Sequence, residues 1–167
     1  ERPELMSAVE DRIGRGVERL EKSYQLRDYL GDLYFRQERY DDLLQLYREL
    51  ADSSMHPGEV LIEGCLKILD RLPGHIEARL ELAAAYRIKE DWQGVLDALD
   101  VLLSDSSDPL DAIDKALWVE AAYMLGRSVD AAALGLQLVR PLAGETGFML
   151  MMIELFQRAE DYIAAHD

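Results

Sequence analysis

Along most of the chain, apolar residues return every three or four positions, the spacing that lines one face of an α-helix. Met6, Val9, Ile13, Val17 and Leu20 form such a stripe over 1–23, with Pro3 suited to a first helical turn. Similar stripes predict helices at about 24–37, 40–52, 58–71, 76–89, 91–104, 111–125, 128–140 and 147–165. Proline, glycine and short polar residues mark the breaks: "SSMHPG" at 53–58, "LPGH" at 72–75 and "SDSSDP" at 104–109. No alternating run is long enough for a strand, so the pattern predicts an all-α protein of about nine helices.

The pattern also repeats. When "LRDYLGDLYFRQERYDDLLQLYREL" (26–50) is set against "ARLELAAAYRIKEDWQGVLDALDVL" (78–102), Leu30 falls on Leu82, Gly31 on Ala83, Tyr34 on Tyr86 and Tyr40 on Trp92. Leu43 then falls on Val95, Tyr47 on Leu99 and Leu50 on Leu102. A third copy lies in "KALWVEAAYMLGRSVDAAALGLQLV" (115–139), where Trp118 and Val119 take the places of Leu82 and Ala83, and Ala131 or Ala132 that of Val95. The aromatic matching Trp92 is missing there, and Val119 is larger than its counterparts. The order small residue, aromatic, apolar residues suits a helical hairpin whose helices cross closely at Gly31 or Ala83. Such hairpins present an apolar edge that a neighbouring one buries.

This spacing resembles the tetratricopeptide repeat. The resemblance implies a helical-hairpin solenoid, a single domain over 1–167: an N-terminal helix (1–23), repeats at 24–54, 76–105 and 111–141, an extra helix at 58–72 and a terminal helix at 147–165. One departure stands out. Gly31 and Ala83 are 52 residues apart, against a family period of about 34. The excess is one helix plus a turn, so either a first helix has been lost or 58–71 is inserted unpaired, and the superhelix should change direction near Pro57.

Composition narrows the function. With 33 acidic and 18 basic residues the formal net charge is −15, which repels nucleic acid and favours basic partners. The single cysteine, Cys65, permits no internal disulfide and reads as a small buried hydrophobe. No apolar run reaches membrane-spanning length, the longest being "FMLMMI" at 148–153. The three histidines, His56, His75 and His166, stand in turns or at the tail without metal-ligand spacing. Asp41 with Asp42, and Glu90 with Asp91, fall where second helices start and suit the positive end of the helix dipole. No catalytic residue, metal site or cofactor is expected, and no enzyme. The absence of an initial methionine suggests a processed chain or a piece of a longer one, and 14 arginines against 4 lysines suit a GC-rich bacterial genome. The compartment stays open between bacterial periplasm and cytoplasm.

The resemblance further implies a protein-binding scaffold, in bacteria often one segment of a longer protein serving secretion, envelope assembly or exopolysaccharide export. First helices would line a concave face. Its candidates are Gln25, Asp28, Asp32 and Phe35, then Glu77, Leu80, Ala84 and Arg87, then Ile113, Ala116, Glu120 and Tyr123; Asp28, Asp32, Phe35, Leu80, Arg87, Glu120 and Tyr123 are the leading ones. These acids and apolar groups suit a basic or amphipathic segment of another protein. They do not match the Lys and Asn clamp with which the family grips chaperone tails. The alternative is a structural spacer that self-associates or stacks on further repeats. The terminal helix is apolar all round at its start, so Met149, Met151 and Met152 are candidates for an interface with another repeat or a second copy.

Overall fold

The computed structural model describes residues 24–105, 107 and 109–166, together with Arg12. The rest of the helix expected over 1–23 lies outside them. The described residues form eight α-helices: α1 (Tyr24–Arg36), α2 (Tyr40–Asp52), α3 (Pro57–Arg71), α4 (Ile76–Ile88), α5 (Trp92–Leu103), α6 (Ala112–Met124), α7 (Ser128–Leu138) and α8 (Thr146–His166). Among these residues there is no strand, and no helix is long and apolar enough to cross a membrane. The chain divides into two compact units, Glu1–Pro73 and Gly74–Asp167.

In the first unit α2 lies against both α1 and α3. Its apolar stripe is strong, and Leu43, Leu44 and Leu46 are buried together with Leu30 of α1 and Cys65 and Ile68 of α3. Pro57 occupies the first turn of α3, where its missing N–H costs nothing. This helix, expected either to have lost its first-helix partner or to be inserted unpaired, packs within its unit against α2. Cys65 is fully buried among these side chains, as a small hydrophobe would be.

In the second unit the hairpins α4/α5 and α6/α7 pack in sequence, and α8 lies against α7 and α6. Leu82, Val95, Leu96, Leu99, Trp118, Val119, Leu138, Met152 and Leu155 form its core. The indole Nε1 of Trp118 donates to Asp100 Oδ1 at 2.6 Å, tying α6 to α5. Asp91 caps α5 by accepting from the Gly94 N–H. Asp111 and Asp114 form a reciprocal capping box at the start of α6, and partial burial, ahead of the other influences, pushes the Asp114 carboxyl up. His75, read from the sequence as a turn residue, caps α4 with Nδ1 accepting from the Ala78 N–H at 3.2 Å.

Three hairpins share one turn. Glu38, Glu90 and Gly126 hold positive φ, at 58°, 57° and 75°. The following N–H reaches back five residues in each: Arg39 to Tyr34, Asp91 to Tyr86 and Arg127 to Ala122, at 3.0, 3.0 and 2.8 Å. The positive-φ residue itself donates to Phe35, Arg87 and Tyr123 respectively. This is the Schellman closure of a helix, which satisfies carbonyls that the ending helix leaves open. Arg39 with Asp42 and Arg127 with Asp130 then make equivalent ion pairs, at 2.7 and 3.0 Å, one turn into α2 and α7.

Of the two expected close crossings, Gly31 is not among the tightest approaches of the described glycines. Ala83 is fully buried, but a Cβ added to Gly31 would meet Leu43 and Leu46 at an ordinary 3.6 Å. Among the described glycines the tight approaches are at Gly64, Gly94 and Gly135. A methyl group would overlap the Tyr47 ring at Gly64, the Tyr86 ring at 2.7 Å at Gly94, and the Met152 thioether at Gly135. A side chain from a neighbouring helix fills the space beside each of these backbones, so a small residue is required there.

Candidate functional site

Two hollows gather eight of the twelve residues expected on a binding face. In the second unit, a groove of about 770 Å³ runs along α4, α6 and the start of α8. Ala84, Arg87 and Ile88 of α4 line it, with Ile113, Ala116, Leu117, Glu120, Tyr123 and Met124 of α6 and Gly147, Phe148 and Met151 of α8. Helical spacing explains the set: residues three, four and seven apart share one face of each helix. Ala84, Arg87, Ile113, Ala116, Glu120 and Tyr123 are thus brought together, while Glu77 and Leu80 do not line the groove. Ile88, Ile113 and Met124 are apolar yet exposed, Ile113 by 70%.

The two charges of this groove face each other. Arg87 Nε donates to Glu120 Oε2 at 2.8 Å and Nη2 to Oε1 at 3.2 Å, a forked pair between α4 and α6. The hydrogen bond and charge of Glu120 hold the guanidinium's pKa up. One helix further on, the Tyr123 hydroxyl donates to Glu154 Oε2 at 2.7 Å, and the Arg158 guanidinium lies 4.6 Å from the Tyr123 ring centroid. The bond to Glu154, followed by desolvation, raises the phenol's pKa. The groove is therefore an apolar channel with a neutralised ion pair in its wall.

The hollow of the first unit, about 470 Å³, is acidic. Asp28, Asp32 and Glu63 line it with Tyr47, Lys67 and apolar Leu46, Leu50 and Val60. Lys67 Nζ reaches Asp32 Oδ1 at 3.0 Å, leaving two of the three carboxylates without that cation. Burial first, then Glu63, Asp28 and Asp32, pushes the Tyr47 phenol up to about 12. Phe35 lies outside this hollow. Lys67 and Arg71 sit over its ring, at 5.3 and 5.5 Å, and Tyr40 meets it edge-on at 6.4 Å. Gln25 belongs to α1, and its side chain lies outside the described residues.

The three candidate methionines have three different places. Met152 is 1% exposed and belongs to the core against Gly135, so it is not available to a partner. Met151 lines the groove, and Met149 is half-buried. Among the described side chains of α8, the exposed large apolar ones are instead Leu150 and Ile153. The sequence reading did not single out Leu117, Phe148 or Lys67. A spacing of 34 from Leu117 to Met151 was the available signal.

Among the described residues, no group of three or more His, Cys, Asp or Glu is placed to hold a metal. Compared with known proteins, the chain matches no protein-family model and no curated protein.

Proposed function

We propose that this chain is a non-catalytic binding module of tetratricopeptide-like hairpins, and that the groove along α4, α6 and α8 holds an apolar stripe of another protein's amphipathic segment. The observation that carries this reading is the groove's lining: alternate helices supply Ala84, Ile113, Ala116, Phe148 and Met151, and the only charges, Arg87 and Glu120, are paired with each other. Burying such a surface is favourable at about 25 cal/mol per Å² of apolar area before association costs are counted. Its ionisable side chains are engaged with one another or with Glu154, which supports holding rather than reacting. A basic segment suits the acidic hollow of the first unit better than this groove.

The test is selection of displayed peptides against the intact chain, with affinities measured by fluorescence anisotropy. Binders with apolar residues at i, i+3 and i+4 are expected, their affinity weakened at least tenfold by Ala116→Glu and little changed by Val101→Glu or by salt. Enrichment of purely basic peptides, or binding indifferent to Ala116→Glu, removes the groove from consideration. A chain that selects nothing favours the structural spacer.

A further inference from the structure

The ion pair in the groove wall uses only part of its hydrogen-bonding capacity. A guanidinium carries five N–H donors and a carboxylate about four acceptor positions. Arg87 commits Nε and one donor of Nη2 to Glu120, and each Glu120 oxygen accepts one of these bonds. Neither side chain has a further partner among the described residues. Both donors of Nη1 and the second of Nη2 therefore stay open, and each Glu120 oxygen keeps a free lone pair. Ala84 and Ala116, one helical turn before each charge, carry only methyl groups and leave the pair accessible from the groove. The side chains are 55% and 30% exposed, so water fills these open positions in the unbound chain.

We propose that the segment bound in this groove carries one carboxamide, Gln or Asn, on its apolar face, and that Arg87 and Glu120 together select it. The proposal rests on the reading of the groove as a site for an amphipathic segment. Such a segment removes the water from the pair, and a buried donor or acceptor left unmatched costs more than a made bond contributes. A wholly apolar stripe leaves both residues in that state. A carboxylate satisfies Arg87 but stands against Glu120, and the net charge of −15 opposes it further. An ammonium satisfies Glu120 but stands against Arg87. A carboxamide satisfies both, its oxygen accepting from the open edge of Arg87 and its NH2 donating to Glu120, and it adds no charge. A site with such groups rejects a ligand that lacks the matching one more strongly than an apolar pocket rejects a change of size.

The probes are alanine-based helical peptides with leucine at i, i+3, i+4 and i+7, in which each position flanking the stripe is made Gln, Leu, Glu or Lys in turn. Their affinities for the intact chain are measured by fluorescence anisotropy, and loss of binding to Ala116→Glu marks those held in the groove. At one position the wild type should prefer Gln to each of the others by about tenfold. Arg87→Met should lose the preference for Gln over Leu. Glu120→Gln, which keeps the donors of Arg87 and removes the opposing charge, should turn the preference to Glu. Peptides held in the groove that favour Leu, Glu or Lys at every position on the wild type overturn the proposal and leave the groove reading standing, as does a Gln preference that both variants retain. Peptides that ignore Ala116→Glu, or a chain that binds none of them, remove the proposal together with that reading. The wild-type preference decides even where a variant fails to fold.

Discussion

Arg87 and Glu120 are joined by two hydrogen bonds across the wall of the groove, one helix pair apart, and each is the other's counterion. Both were expected on a binding face, and the structure turns them toward each other. Because Arg87 is more than half exposed, the pair should contribute only about 0.2–1 kcal/mol to stability, as a double-mutant cycle on thermal unfolding would show. Its larger effect is electrostatic. Arg87→Ala should leave Glu120 unopposed, so that any groove ligand carrying a lysine binds in a salt-dependent way that the wild type lacks.

The glycines divide into two kinds. Gly31→Ala should be neutral or stabilising by up to about 1 kcal/mol, since its methyl group finds ordinary contacts and alanine is the better helix former. Gly64→Ala and Gly94→Ala should each cost about 1–3 kcal/mol, because rigid rings of Tyr47 and Tyr86 occupy the space. Gly135→Ala should cost less, the obstacle being the flexible end of Met152. Ala83→Leu belongs with the costly pair, at about 1–3 kcal/mol, for the site is fully buried. Urea midpoints would order these variants, and a Gly31→Ala as damaging as Gly94→Ala would contradict the packing described.

Two turns carry strain that a glycine would relieve. Glu38 and Glu90 hold positive φ without glycine's freedom, at a cost of roughly 1 kcal/mol each. Glu90→Gly should therefore raise the melting temperature, and Gly126→Ala should lower it by the converse effect. Calorimetry of the two variants beside the wild type is the check. Equal midpoints for all three would show that the shared turn is unstrained.

Tyr47 makes the first unit sensitive to alkali. Its phenol is neutral up to about pH 12 in the fold, against an ordinary value near 10 in the unfolded chain. The folded pKa is the higher one, so the stability tied to the neutral phenol is present below pH 10 and drains away as pH rises through 12. Tyr47→Phe should abolish this loss. Absorbance at 295 nm should show one tyrosine ionising later than the rest, and the variant's denaturant midpoint should fall less between pH 10 and 11.5.

The hydrophobic period sufficed to place the helices. The boundaries expected at 40–52, 76–89 and 128–140 lie within two residues of those observed, because apolar spacing, caps such as Asp91 and Asp111, and turn residues act locally. The likeness of 26–50 to 78–102 has a counterpart in the turns, since Tyr34 and Tyr86 lie the same distance before turns of identical hydrogen bonding. That Ala84, Arg87, Ile113, Ala116, Glu120 and Tyr123 share one face was implied by the family resemblance, and all six line one groove.

What a side chain meets on that face is another matter, because it depends on the distance and angle between helices. Periodicity alone does not say that Arg87 reaches Glu120, that the Tyr86 ring covers Gly94 rather than demanding a glycine elsewhere, or that Met152 is core while Ile153, one residue on, faces solvent. A helix turns about 100° per residue, so adjacent positions in a wholly apolar stretch differ only in which neighbour stands opposite. The sequence by itself determined the helices and the turns between them through local spacing; the packing of α6, α7 and α8 decided which apolar residues became core, groove wall or open face.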